Sequence, residues 1–540
     1  MPWNTNRPVP ASGRWKLNRR VAVVLIVTLW LGGMGFLVKR EYFRPSAQLL
    51  AEAAARVGPG ASYYTLSMGG GPIGYSTSTI DTTPAGVTLQ SNTTLDIQAL
   101  GNAQRVGMTL IVNLTRALHL ISFEGQLNSE AAKFKASGRV DGDTVLNVEI
   151  DAGGTRPSHQ RIPLARPLVL AEMVSLRLAV GGNLQAGKTY TLRTFDPMLM
   201  QEREIAVAVL AESSYVVPDS ARFDSTAQRW VAVRWDTTKV FKISQTYNGI
   251  SAESWIDEQG GIISATTESG FKMEKTAFEI AVENWRLARE SGAGVAAGAG
   301  NDIISTTAIA ANVQLHPDAL RILQVRLGNV RLSGFDLSGG RQRLSGDTLT
   351  IARERGFGEG PPGERPSAFD ARLPLVGTGD SAVAAALQPE ALVQSDDPRI
   401  QAQARQIIGR ERNAGRVAEL LTRWVYTTLE KKITVSVPSA AQVLETRSGD
   451  CNEHTVLYVA LARAAGLPAR TAAGVVYLRG HFYYHAWPEV WLGQWVAVDP
   501  TFGQFPADAA HLRFTIGGLA RQMELIRLIG RLQLTVVHSE

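Results

Sequence analysis

The chain has a single cysteine, Cys451, among its 540 residues. That excludes an intramolecular disulfide and a cysteine-based zinc cluster. A lone thiol is usually a buried, inert residue, so its neighbours must decide whether it reacts. Charge is also sparse. Charged residues make up 19% of the chain and the formal net charge is +6. Five of the positive residues, Arg7, Arg14, Lys16, Arg19 and Arg20, sit together at the N-terminus. No basic stripe interleaves with aromatics, which argues against a nucleic-acid partner. No acidic calcium loop is visible, and no metal or cofactor is expected.

What is present is apolar and glycine-rich. Apolar residues make up 45% of the chain, which is globular rather than disordered, and the length implies two to four folded units. The 51 glycines suit a β-rich protein with many turns. Residues 21–38, VAVVLIVTLWLGGMGFLV, carry no charge and are just long enough to span a bilayer as a helix. Basic residues precede this run, and Lys39, Arg40 and Arg44 follow it with Glu41 between. The positive-inside rule then places 1–20 as a cytoplasmic tail and the remainder outside the inner membrane, in the periplasm. A cleaved signal peptide is the competing reading. Its apolar core would be unusually long, and the first small-residue run, Ala51–Ala55, lies well past its end.

Residues 61–285 read as a large antiparallel all-β domain with one wet face. Val145–Asp151 alternates apolar and polar residues, and Trp255–Ile263 reads as a hairpin with a glycine-containing loop. Two halves, 61–155 and 187–275, each open near a Tyr-Thr-Leu run. In pattern, the stretch resembles periplasmic half-barrels that carry lipid or other ligands. That resemblance implies a lipid or polypeptide ligand. Residues 291–300 are a small-residue linker. A small β-rich segment, 301–355, follows, and Gly356–Pro366 is loop.

A C-terminal domain, 396–540, opens at Asp397-Pro398, an N-cap followed by proline at the first helical position. Val417, Leu420, Leu421, Trp424 and Val425 recur at helical spacing. Ser439-Ala-Ala-Gln442 has the form of a capping box. Ser448-Gly-Asp-Cys-Asn-Glu-His454 leads into a helix ended by Gly466-Leu-Pro468. Cys451 is expected at that helix's N-terminus, where the dipole and unpaired N–H groups favour a thiolate and an oxyanion. His485 falls on an aromatic, β-rich run, and Asp499 ends the next strand across Gly493. An aspartate there takes the imidazole N–H and fixes its tautomer.

Gly449-Asp-Cys-Asn-Glu453, His485-Ala-Trp-Pro-Glu489 and Trp495-Val-Ala-Val-Asp-Pro-Thr501 resemble the three blocks of the bacterial transglutaminase-like superfamily, over about 396–515. Length, the apolar run and the β-rich stretch together predict a multidomain chain, with an N-terminal transmembrane helix and the β-domain ahead of the C-terminal domain. The resemblance implies that this last domain is α+β and papain-like, with Cys451, His485 and Asp499 as catalytic triad. It implies acyl transfer through a thioester formed from an amide. Water as acceptor gives a peptidase or amidase, and an amine gives cross-linking. Envelope protein or peptidoglycan peptide is the expected substrate class. Some relatives have an upstream aromatic or glutamine side chain that assists the oxyanion; this sequence has no clear match to it, and Trp424 and Tyr426 are the candidates. Asp450 and Glu453 favour the helix N-terminus but oppose a thiolate. His454 is either a rival base or a structural hydrogen-bonding group. Trp487, Trp491 and Trp495 are core by default, with one of them a possible cleft wall. His511 is either a histidine that supports the triad from behind or a surface histidine. A metal site of two histidines and an aspartate lacks helical His spacing. The rival to an enzyme is a non-catalytic envelope binding or assembly protein that uses the β-domain for a lipid or polypeptide.

Overall fold

The computed structural model describes residues 58–540, apart from 292–301, 355–370, 376–379, 197–200 and breaks of one or two residues at 70, 84–85, 100–101, 131, 166, 183, 248–249, 268–269, 303 and 305–306. The expected membrane helix at 21–38 and most of the expected linker lie outside the described residues. Among the described residues no helix is long and apolar enough to cross a membrane.

The first strands are β1 (Gly60–Met68), β2 (Gly71–Thr82), β3 (Gly86–Ala99), β4 (Asn102–Thr115), β5 (Leu120–Ser129), β6 (Lys133–Asp141), β7 (Val145–Asp151) and β8 (Ser158–Pro163). After helix α1 (Val174–Val180) come β9 (Thr189–Asp196), β10 (Gln201–Asp224), β11 (Arg229–Tyr247), β12 (Ile250–Asp257), β13 (Ile262–Thr267) and β14 (Phe271–Thr276). They form one 14-stranded sheet in the order β8 to β1, then β14 to β9. The two halves read from the sequence are therefore one surface, closed by antiparallel pairing of β1 with β14. Burial along β7 alternates residue by residue, as period 2 demands. The buried faces of both halves meet α1. Met173 and Leu176 pack with Leu114, Phe123 and Leu146, whereas Val174 and Leu178 pack with Ile205, Val207 and Ile243. Burial of each such side chain contributes about 1.5–3 kcal/mol.

Helix α2 (Asn284–Glu290) follows the sheet. The next strands, β15 (Ile309–Ala310), β16 (Ile322–Gly328), β17 (Gln342–Ser345) and β18 (Thr348–Ala352), correct the partition expected from sequence. They are not a separate segment. β16 pairs with the chain's last strand, so that the order is β17-β18-β16 and then Gln533–Ser539. Leu323, Val325 and Ile351 share one core with Val475, Phe482 and Phe514 of the C-terminal unit. Apolar alternation shows that a strand is half buried. It carries no information about a partner some 200 residues away.

The C-terminal unit contains α3 (Ser381–Ala385), α4 (Pro398–Ile408), α5 (Ala414–Thr428), β19 (Glu430–Lys431), α6 (Ala440–Thr446), β20 (Ser448–Gly449), α7 (Cys451–Ala464), β21 (Ala469–Leu478), β22 (His481–Trp491), β23 (Trp495–Ala497), β24 (His511–Ile516), α8 (Leu519–Gln522) and β25 (Gln533–Ser539). Its sheet has the order β15-β22-β21-β24, with β23 beside β22. Every residue of α7 from Glu453 to Arg463 is buried. A helix buried all round is a core element. It lies between α4, α5 and α6 on one side and β21 and β22 on the other.

The unit is bolted to the large sheet by backbone-directed side chains. Gln104 of β4 accepts from the Val435 N–H at 2.8 Å and donates to the Ile433 carbonyl. Asp397 caps α4 through the Arg399 N–H and also accepts from the Thr155 N–H at 2.8 Å. The Ser439 hydroxyl does not cap α6, contrary to the capping box read from the sequence. It donates instead to the Ala152 carbonyl, while Gln442 donates to the Lys133 carbonyl.

Candidate active site

Cys451 is the first residue of α7, placed there by local geometry. The parallel pairing of β19 with β20 delivers Ser448 and Gly449 to the helix start. Gly449 has φ +155°, and a Cβ there would sit 2.3 Å from the Glu453 Cβ. Asp450 is the N-cap, and its carboxylate accepts from the Asn452 N–H at 2.8 Å and from the Glu453 N–H. Glu453 reaches back to the Asp450 N–H at 2.9 Å and accepts from the Ser436 hydroxyl at 2.6 Å, completing a capping box.

This start differs from the one expected. Two first-turn N–H groups are already occupied by Asp450, which removes them as oxyanion donors. Burial pushes the Cys451 thiol well above its usual value, and the neighbouring Asp450 carboxylate adds to the rise, against a hydrogen bond from the Ala486 N–H. Burial also pushes Asp450 itself up, helped by the charge of Glu453. Cys451 is therefore held toward the thiol form, and the helix dipole does not overcome its surroundings.

His485 and Asp499 meet through the strands. His485 lies on β22 opposite Gly474 of β21. A Cβ at Gly474 would stand 2.0 Å from the Leu512 carbonyl oxygen, so only glycine allows β24 this close. Asp499 follows β23 and is pinned from both sides. Its Oδ1 accepts from the Thr501 and Phe502 N–H groups at 2.7 and 3.1 Å. Its Oδ2 lies 2.8 Å from His485 Nε2 and 2.9 Å from His511 Nε2. Burial disfavours its charge, but His485 and His511 outweigh that and hold the carboxyl well below the usual range.

The His485 ring lies against two aromatic rings. Phe502 stacks on it at 5.0 Å and 13°, and Trp487 at 6.1 Å and 23°. Trp487 is a core residue, buried with Ala472, Ala497 and Ala507, while Trp491 and Trp495 pack edge to face on each other. His454 Nδ1 bonds its own helix at the Asp450 carbonyl, the structural role. Of the two oxyanion candidates, Trp424 lies under the Arg447 guanidinium, and Tyr426 lies against Gly503 of the loop that follows Asp499. Sequence reasoning missed Phe502 and Asp508. Neither falls in a motif block, and a loop phenylalanine carries no signal of stacking. His485, Asp499 and His511 place three possible metal-ligand atoms within 4.8 Å of one another. Those atoms are already joined by hydrogen bonds, so the trio is read as a proton-holding group.

A cavity of about 430 Å³ lies between the large sheet and this unit. Phe134, Ile150 and Gln160 line it from the sheet, and Asn452 and Thr455 from α7.

Residues 401–500 match the family model described as the transglutaminase-like superfamily. This segment is a transglutaminase-like domain. The match contains Cys451, His485 and Asp499 and stops before Asp508 and His511. At this level the transglutaminase-like domain is that of a cysteine-type enzyme. Solved structures similar to the chain include a candidate cysteine protease from Cytophaga hutchinsonii, at 16% identity and TM-score 0.27, covering 41% of this chain and 84% of that one. A β-barrel-like protein of unknown function from Brucella abortus has 12% identity and TM-score 0.29, covering 41% of this chain and 96% of that one. A candidate protease from Parabacteroides distasonis has 9% identity and TM-score 0.19, covering 72% of this chain and 68% of that one. These likenesses carry no weight for function. No curated protein matches the chain.

Proposed function

We propose that the transglutaminase-like domain is a thiol acyl-transfer enzyme acting on amide bonds, with Cys451 as nucleophile, His485 as base and Asp499 as the group that orients it. The observation that carries this reading is the 2.8 Å contact between His485 Nε2 and Asp499 Oδ2, on the strand packed against α7. With Nε2–H donated to the carboxylate, Nδ1 is the nitrogen left to take a proton.

The thiol proton passes to His485 as Sγ attacks the amide carbon, because the resting group is neutral rather than a preformed thiolate. A C–S bond forms, and the carbonyl electrons move to oxygen. On collapse the C–N bond breaks, and the amine leaves with the proton held by His485. Water or a second amine, deprotonated by His485, then cleaves the thioester and regenerates the thiol. Water gives peptidase or amidase activity, and an amine gives a cross-link. The substrate class is envelope polypeptide or peptidoglycan peptide, and the chain is held at the inner membrane by 21–38 with its folded units outside. The cavity beside Asn452 offers room for a side chain of the acyl donor.

The test incubates the full chain with such peptides and follows amine or ammonia release, together with uptake of a fluorescent primary amine. Cys451→Ala and His485→Ala should each reduce both to background. Turnover surviving in Cys451→Ala would overturn the mechanism.

A further inference from the structure

Asp499 serves two histidines through one oxygen. His485 lies on the strand that packs against α7, and His511 lies on β24, across β21 from it. The second histidine has no place in the mechanism above. It is fully buried, with Nε2 2.9 Å from Asp499 Oδ2 and Nδ1 2.9 Å from Asp508 Oδ1. A neutral imidazole has one N–H donor and one acceptor nitrogen. Between two carboxylates both nitrogens must donate, so His511 is an imidazolium. Asp508 is itself fixed, by the Gln504 side-chain amide and the Ala510 N–H, each at 2.8 Å.

We propose that His511, clamped by Asp508, is a positioning residue: it keeps a fixed positive charge on the Asp499 oxygen that His485 also uses, and so holds the Cys451–His485 pair neutral until substrate arrives. This rests on the reading of Cys451 and His485 as nucleophile and base.

The electrostatic sense follows from proximity. The His511 ring centre is 5.8 Å from that of His485. A positive charge there disfavours a second one on His485, and it cancels part of the attraction Asp499 would exert. Among the described residues, Arg513 of β24 and Glu489 of β22 lie along the same strands and are paired with each other at 2.7 Å. Arg341 reaches the His511 carbonyl at 3.4 Å, but its charge is paired with Glu354 at 2.9 Å. His454, Cys451, Asp450 and Glu453 belong to the α7 side. Burial alone would lower the His511 pKa, yet the hydrogen bonds to Asp499 and Asp508 outweigh it and bring it to about 9. The charge is therefore present across the physiological range.

The test uses the full chain, in detergent, and iodoacetamide alkylation of Cys451 followed from pH 5 to 11. The variant is Asp508→Asn/His511→Gln. It can keep a hydrogen-bonded chain from Asp499 through Gln to Asn while removing both of the other charges. Loss of the nearer, positive one removes the repulsion that a proton arriving on His485 would meet, so the thiolate–imidazolium form gains population. The rate near neutral pH should rise about tenfold, while the rate at the alkaline end, where hydroxide takes the thiol proton without help from His485, stays as in the parent. A neutral-pH rate that falls or does not change would overturn the proposal, a fall meaning that His511 only props Asp499. If the double variant does not fold, Asp508→Asn alone decides. His511 then loses its proton at lower pH, and a new step upward in rate should appear there; a profile without it overturns the proposal. His485→Ala is run in parallel. If it leaves the parent profile unchanged, the failure lies with His485 as base and not with His511.

Discussion

Both halves of the molecule carry exposed ion pairs, but among the described residues only the C-terminal unit also carries buried ones. On the large sheet, Lys135 meets Glu124 at 3.0 Å and Arg193 meets Glu204 at 2.7 Å, with each side chain about half exposed. In the C-terminal unit Arg513 meets Glu489 at 2.7 Å and Arg341 meets Glu354 at 2.9 Å, with every side chain 7% exposed or less. Exposed pairs are screened and contribute little. Buried pairs bear a desolvation cost that Coulomb attraction only just repays, so they fix geometry more than they stabilise. Fixed charge is what a proton-transferring site needs, and it is found on the side of the molecule that carries Cys451.

The sharpest way to break this contrast is at Asp499. Asp499→Asn retains an oxygen for the Thr501 and Phe502 N–H groups. It removes the negative charge that His485 and His511 share, and it offers His485 an N–H in place of an acceptor. Turnover should fall by about 10⁴-fold with the fold retained. A loss under tenfold would mean that the buried charge around His485 is structural. Next in size is the core ion pair. Arg513 also donates to the carbonyls of Asp336, Ser338 and Gly339. Arg513→Met strands those acceptors and leaves Glu489 to Arg470 alone, a cost of about 3–5 kcal/mol. Lys135→Met on the sheet should leave the thermal midpoint unchanged. Equal shifts in the two variants would erase the distinction drawn here. Smaller again is the seam. Gln104→Ala leaves the Val435 N–H and the Ile433 carbonyl without their partner, for about 1–3 kcal/mol. If the halves unfold separately, calorimetry should show one transition splitting into two, with the sheet unaffected.

What the sequence revealed follows the same division. The site residues sit in short blocks whose spacing reports local structure: a helix that opens at Cys451, a hairpin between His485 and Asp499. Local rules suffice for these. Long-range placement is a different matter. Nothing in 301–355 says that β16 will pair with Gln533–Ser539, and nothing in two β-rich halves says that β1 will find β14. The capping box at Ser439 was legible as a pattern and is filled differently, because the Ala152 carbonyl arrives from 287 residues away. The raised thiol of Cys451 was hidden for the same reason. A helix N-terminus is visible in sequence, but its burial against β22 is not.

Phe502 tests how far rigidity around the charges extends, with the smallest effect expected. It stacks on His485 yet is itself 37% exposed, so it closes the ring off from water on one face. Its backbone N–H donates to Asp499, and Phe502→Ala preserves that bond while deleting the stack. The stack is worth about 0.5–1.5 kcal/mol. Without it, the face of His485 that Phe502 covers is opened to solvent, and the ring can swing about its Asp499 contact. Turnover should fall about threefold to tenfold, and the thermal midpoint should barely move, since an exposed side chain contributes little to the core. Phe502→Tyr, which keeps the stacked face, should restore the rate. Unchanged turnover in Phe502→Ala would show that the 2.8 Å bond to Asp499 is enough to aim His485 by itself. Phe502 would then belong to substrate access rather than to the orientation of the base.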